Sequence, residues 1–294
     1  MTPKQELAAL AFALMLANCS GAQGTSVPIT AASETLHSAG LHATGPHATN
    51  VTIVVMENKD YARIVRNPKA PYINGTLIPQ GALLTDYHAV GHPSEPNYLA
   101  LFSGSTHGVK GDPCPVTYSS ANVGSELASA GKTFDGYSES MPHNGYTGCE
   151  TALYARKHSP WVDFTNVPSS ENLVYHRFPA TPPNLTWITP NLCDDMHDCE
   201  IRHGDRWLSR NLPPIIAWNA KNDGLLIVTF DEAAPDLNHS NQVFEILIGP
   251  MVVAGSQNSQ NITHYSTLRT VEDIFGLACI KFDCSAPDIT GIWR

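Results

Sequence analysis

Apolar residues along the 294-residue chain gather into short unbroken runs: Val51-Thr-Ile-Val-Val-Met56, Leu185-Thr-Trp-Ile-Thr189, Leu225-Leu-Ile-Val-Thr-Phe230 and Val243-Phe-Glu-Ile-Leu-Ile248. The runs lack the strict polar alternation of a half-exposed strand, as expected of strands covered on both faces of a parallel sheet. Between them, Tyr98–Phe102, Trp207–Trp218 and Leu268–Leu277 place apolar residues at helical spacing. Strands alternating with helices predict an α/β domain with a mostly parallel sheet. No internal repeat is visible.

Ahead of the first run, Leu7–Leu16 is apolar, follows Lys4, and leads into Leu16-Ala17-Asn18-Cys19-Ser20-Gly21 and a stretch rich in Ser, Thr, Ala and Gly. This pattern predicts an export signal over 1–19, a flexible linker over 20–49 and a folded domain over 50–294. The alternative is a buried N-terminal helix. The signal resembles that of a bacterial lipoprotein, in which the cysteine is lipidated, although Asn18 stands where a small residue is usual. The expected location is therefore secreted, periplasmic or cell-surface, with membrane attachment only through a lipidated Cys19.

Composition narrows the class. With 42% hydrophobic and 15% charged residues the chain can fold around a core, and no stretch approaches the roughly 18 apolar residues of a membrane span. The 17 basic against 27 acidic residues give a net charge of −10. The bases are scattered, which argues against a nucleic-acid partner, whereas converging acids would suit a cation. Setting Cys19 aside leaves six cysteines, which an oxidising compartment would pair. Several connectivities are open; sequence proximity favours Cys193–Cys199 and Cys279–Cys284, leaving Cys114–Cys149. Sequons at Asn50, Asn74, Asn184, Asn238 and Asn261 would carry glycans only in a eukaryotic secretory pathway.

In open α/β sheets chemistry sits beyond the carboxyl ends of the strands. Here the first run ends in Glu57-Asn58 and the third in Asp231-Glu232. The second runs into Asn191 and Asp194-Asp195-Met-His197-Asp198, and Thr263-His264-Tyr265 precedes a helix. Carboxylates, amide and imidazole together form a ligand set for a divalent metal cation. The nucleophile candidate is Ser94 in Gly91-His92-Pro93-Ser94-Glu95-Pro96-Asn97-Tyr98, at a helix start where free N–H groups would favour an anion. Metal coordination would ease its deprotonation for attack on phosphorus, with Asn97 donating to a phosphoryl oxygen. Taken singly, Glu57-Asn58 reads equally as a turn and Ser94 as a helix N-cap. Asp194 and Asp198 read as solvated carboxylates, and His88, His107, His143 and His203 as surface or packing residues.

Met56-Glu57-Asn58, His92-Pro93-Ser94-x-Pro96-Asn97-Tyr98, Thr189-Pro190-Asn191-Leu-Cys-x-Asp195-Met-His197-Asp198, Gly204-Asp205-x-Trp207-Leu208 and Thr229-Phe230-Asp231-Glu232 together resemble the phosphoesterase family. That family groups acid phosphatases with phosphatidylcholine-type phospholipases C, within the alkaline phosphatase superfamily. The resemblance, over about Val51 to Leu277, implies a three-layer α/β/α sandwich and hydrolysis of a phosphate ester through a phosphoserine. It implies Ser94 as nucleophile and Glu57, Asn58, Ser94, Asp231 and Glu232 as metal ligands, Glu232 standing where some relatives carry aspartate. Asp195, His197 and His264 match positions of further metal-binding or phosphate-contacting groups. His92, beside Ser94, and His158, in Lys157-His158-Ser159-Pro160-Trp161, are further candidates.

The expected activity is an acid-phosphatase-like hydrolysis of a small phosphorylated substrate. A phospholipase C or other phosphodiesterase would need an apolar entrance, for which Phe102, Tyr146, Trp161 and Phe164 are candidates; family phospholipases C usually carry extra C-terminal domains, and this chain ends at Arg294. A serine acyl hydrolase is a distant alternative, since the Gly-x-Ser-x-Gly elbow is lacking. A catalytically silent binding protein would have lost ligands that are all present here.

Overall fold

The computed structural model describes residues 46–234 and 240–294. The export signal with Cys19, the linker up to residue 45 and the Asn238 sequon lie outside the described residues.

The first apolar run becomes β1 (Asn50–Met56), buried from Val51 onward. Two short turns, α1 (Tyr61–Ile64) and α2 (Ile78–Gln80), lead to β2 (Ala82–Leu84) and β3 (Tyr87–His88). Helix α3 (Ser94–Ser103) is buried along its whole length. It starts four residues before the apolar periodicity does, because Pro96 is tolerated in a first turn. After α4 (Val123–Ser129) come β4 (Phe134–Glu139), β5 (Asn172–Tyr175) and β6 (Leu185–Thr189). Helix α5 (Ile201–Asn222) precedes β7 (Gly224–Phe230) and β8 (Glu245–Ile248). The short strands β9 (Gln257–Asn258) and β10 (Ile262–Thr263) lead into α6 (His264–Phe275).

Eight strands form one sheet in the order β5-β4-β6-β1-β7-β8-β2-β9, and β10 pairs separately with β3. From β5 to β7 every pairing is parallel, while β8 runs antiparallel to β7 and β2. Helices flank this sheet in a three-layer α/β/α sandwich. Helix α5 packs against β1 and β7, and α3, α4 and α6 pack on one another. Parallel order puts the carboxyl ends of β4, β6, β1 and β7 side by side, at one edge of the sheet.

Two glycines allow close approaches that matter to that edge. A Cβ at Gly136 on β4 would lie 2.2 Å from the Trp161 ring, and one at Gly204 on α5 would lie 2.4 Å from the Met196 side chain. Gly136 thus lets the segment carrying His158 settle on the sheet, and Gly204 lets α5 close on the loop after β6. The neighbouring Asp205 accepts from the backbone N–H groups of Tyr72 and Ile73 at 3.0 and 2.9 Å, so that motif is architectural.

The structure contains the disulfides Cys114–Cys149, Cys193–Cys199 and Cys279–Cys284. At the described sequons, the amides of Asn50, Asn74, Asn184 and Asn261 all donate hydrogen bonds within the fold. Among the described residues no helix is long and apolar enough to cross a membrane.

Candidate active site

Glu57 and Asn58 follow β1, Asp231 and Glu232 follow β7, and adjacent parallel strands fix both pairs in space. The Asp231 N–H donates to Met56 O at 3.0 Å and the Asn58 N–H to Asp231 Oδ1 at 3.0 Å. Asn58 adopts φ of 48°, a left-handed conformation that Asn tolerates better than most residues. From the other side of β1, the Glu57 N–H donates to the Asp195 carbonyl at 2.9 Å.

Ser94, the first residue of α3, meets this set. Its Oγ lies 3.3 Å from both Glu57 Oε2 and Glu232 Oε1. Tyr98, one turn along, hydrogen-bonds Glu57 Oε1, and His92 Nδ1 holds Glu232 Oε2. Each glutamate therefore has one oxygen toward the serine and the other tied down, and the extra methylene of Glu232 is accommodated. Asn58 Oδ1 and Asp231 Oδ2 are buried without a hydrogen-bond partner.

Next to Glu57 lies a second group. His158 Nε2 is 3.2 Å from Glu57 Oε1, and His158 Nδ1 is 3.6 Å from Asp195 Oδ2. The three side chains bring ligand atoms within 4.8 Å of one another. His158 is placed by its carbonyl, which accepts from Thr189 Oγ1 at 2.9 Å, and by stacking on Tyr98 at 5.1 Å. His197 lies at the partly exposed side, its ring 6.0 Å from that of His158 and its Nδ1 2.7 Å from Asp198. Asp195 accepts from the His197 N–H at 2.6 Å.

Burial is the main electrostatic fact. It pushes Glu57 well above the usual carboxylate range, with the Asp231 and Asp195 charges adding to it. Asp231 rises to about 7 through burial and then Glu232, and Glu232 rises to about 7 through burial. Burial holds His158 well below the usual imidazole range. Carboxyls crowded out of water, with orphaned oxygens, require protons or a cation. The donor set fits a divalent cation of oxygen preference.

Three sequence expectations change. The Asn97 amide is fully engaged: Oδ1 accepts from Val90 N and Gly91 N at 2.9 and 3.0 Å, and Nδ2 donates to Gly91 O and Pro93 O at 3.0 Å. It shapes the loop before Ser94 and has no donor left for phosphate. His264 is fully buried, with Nδ1 on Tyr87 OH at 2.7 Å and Nε2 on the Asp231 carbonyl at 2.6 Å. It supports the end of β7, with both ring nitrogens engaged inside the fold. The start of α3 is less open to an anion than expected, because the Glu95 N–H is taken by Asp112 at 3.0 Å and Pro96 has none.

Sequence reasoning gave no role to Tyr98 or Lys157, although both lie inside quoted motifs, or to Lys59, whose Nζ donates to Met196 O at 2.7 Å. It also missed Asn241. That amide accepts from Ala233 N and donates to Gly91 O, both at 2.8 Å, joining the loops of Glu232 and Ser94. Nothing in the local sequence marks it. Of the candidate entrance residues, Phe102, Trp161 and Phe164 are core.

Residues 65–278 match the profile of the Phosphoesterase family. A phosphatidylinositol-3-phosphatase of Mycobacterium tuberculosis is 43% identical over 250 residues, covering 83% of this chain and 82% of that protein. An acid phosphatase of Aspergillus fumigatus is 31% identical over 256 residues and covers 79% of this chain, which spans 56% of that relative's length. Among solved structures, an alkaline phosphatase superfamily protein from Vibrio parahaemolyticus shares the fold at a TM-score of 0.57 and 10% identity, over 83% of this chain and 71% of that one.

Proposed function

The chain belongs to the Phosphoesterase family, and from that premise we propose that it hydrolyses phosphate monoesters with Ser94 as nucleophile. Glu57, Asn58, Ser94, Asp231 and Glu232 would hold a divalent cation. The observation that carries this reading is the position of Ser94 Oγ, 3.3 Å from a carboxylate oxygen of each of two strand ends. Relatives named as phosphatases support a monoester, as does the burial of three of the four aromatic residues considered for a lipid entrance.

A bound cation would polarise a phosphoryl oxygen and lower the proton affinity of the Ser94 hydroxyl. Ser94 Oγ forms the bond to phosphorus while the bond to the leaving oxygen breaks, and water then releases phosphate from the phosphoserine. Tyr98 and His92 orient the two glutamates. His197, partly exposed, would meet the substrate, with His158 and Asp195 behind it. In the same reading, residues 1–19 direct export and 20–49 link to a catalytic domain over 50–294. The three disulfides fit an oxidising destination.

The test compares an aryl phosphate monoester, the matching diester and an aryl acetate, with and without chelator. The monoester is expected to turn over fastest and chelation to abolish the activity. Ser94→Ala should fold normally and lose several orders of magnitude in rate. A variant retaining more than about a tenth of the rate excludes Ser94 as nucleophile on that scale.

A further inference from the structure

Asp112 has no part in the reading above, yet it touches the nucleophile helix. Its Oδ1 accepts the Glu95 N–H, next to Ser94, at 3.0 Å, and its Oδ2 accepts from Lys157 Nζ at 2.8 Å. One carboxylate thus spans from the start of α3 to the residue before His158. Both arms of the bridge are anchored. Cys114, two residues beyond Asp112, is bonded to Cys149, whose carbonyl accepts the Arg156 N–H at 2.8 Å. The Arg156 guanidinium in turn donates to Thr147 O at 2.8 Å, Val116 O at 3.1 Å and Asp163 Oδ1 at 3.0 Å.

We propose that Lys157 is a catalytic residue that meets the phosphoryl oxygens at Ser94, and that Asp112 is the positioning residue that holds its ammonium there. The proposal rests on the phosphoesterase reading. An acid-lined site must still attract a phosphate dianion, and the first turn of α3 offers little, since Glu95 N–H is taken and Pro96 has none. Lys59 is buried and committed to Met196 O. Lys157 is different: its side chain is 21% exposed, and an ammonium has three donors, of which Asp112 takes one. Its positive charge is felt by both Glu57 and Glu232. Charge that gathers on the non-bridging oxygens during Oγ–P bond formation would be met by this ammonium without any proton leaving it.

The experiment is a double-mutant cycle on the full chain with an aryl phosphate, reading kcat, KM, inhibition by inorganic phosphate, and melting temperature. Lys157→Met is expected to lower kcat/KM about a hundredfold and weaken phosphate inhibition, as loss of one charge-stabilising donor does. Lys157→Arg should recover part of that loss. Asp112→Asn should cost about tenfold through misplacement of the ammonium. The double variant should be no worse than Lys157→Met alone, because Asp112 acts through Lys157. Lys157→Gln replaces Lys157→Met if the latter fails to fold. Losses that multiply in the double variant, or a Lys157 variant within about twofold of wild type, overturn the proposal on the scale of such deletions. A wild-type protein without phosphate-ester turnover overturns the phosphoesterase reading instead.

Discussion

At the scale of single residues, the site depends on amides and carboxylates whose two ends do different things. Asn241 shows this most clearly, since its carbonyl oxygen serves the Glu232 loop and its NH2 serves the Ser94 loop. Asn241→Asp keeps a side chain suited to its φ of 50° and keeps the acceptor, but sets an oxygen against Gly91 O. It is expected to cost roughly 1–3 kcal/mol, as an unmatched buried polar group does. It should also lower kcat about tenfold through relative displacement of Ser94 and Glu232. Melting curves and kcat check this together; an unchanged kcat at lowered stability would mean that the loops keep their relative position without the bridge. The same residue marks the limit of sequence reading. Glu57, Asn58, Ser94, Asp231 and Glu232 were legible because they follow apolar runs or stand in a helix-start motif. Asn97 and His264 were legible as special positions, but their hydrogen-bond partners depend on side-chain direction, which linear spacing does not encode.

At the scale of elements, the central strands β1, β6 and β7 were readable because burial on both faces leaves unbroken apolar runs. Strand β4 was not, since Phe134-Asp-Gly-Tyr-Ser-Glu139 alternates in burial and contains Gly136. The direction of β8 was not legible either, because antiparallel entry follows from the route of the chain. Helix α6 yields a prediction. Its Glu272 is fully buried, and burial, then the Asp283 carboxyl, push it from an ordinary 4.5 to about 10. Above the ordinary value the unfolded chain releases this proton while the folded chain keeps it, so stability is lost as pH rises through that window. Glu272→Gln removes the titration. Its melting temperature relative to wild type should therefore climb between about pH 5 and about pH 8.5. A difference constant across this range would show that Glu272 does not carry the coupling.

At the scale of the whole molecule, the site joins strand ends far apart in sequence, and Asn58 and Asp231 in direct contact are 173 residues apart. The sheet order performs that assembly, and the strand runs predicted the fold class without predicting the order. Disulfides secure two of the excursions at the site's rim, and they differ in what they should contribute. Cys114–Cys149 closes a separation of 35 residues and Cys193–Cys199 one of 6. Chain entropy then assigns roughly 4 kcal/mol to the first and about 2 kcal/mol to the second. Removing the longer bridge by Cys114→Ser/Cys149→Ser should lower the melting temperature by about twice as much as Cys193→Ser/Cys199→Ser, at roughly 2–4 °C per kcal/mol for a domain of this size. The order of effects on turnover has a separate cause in the shorter ring. It encloses Asp195, whose carbonyl receives the Glu57 N–H, and His197, whose N–H is held by Asp195. A loop released there by about an ångström can cost on the order of a hundredfold in rate. The shorter bridge should therefore matter less for melting than for catalysis, with its rate loss exceeding what its stability loss explains. Turnover measured well below the melting temperature of each double variant separates the two effects. Full activity without Cys193–Cys199 would mean that the close packing at Gly204 and the Asn191 side chain, whose Oδ1 accepts from the Cys193 and Asp194 N–H groups at 3.0 Å, suffice to hold that loop.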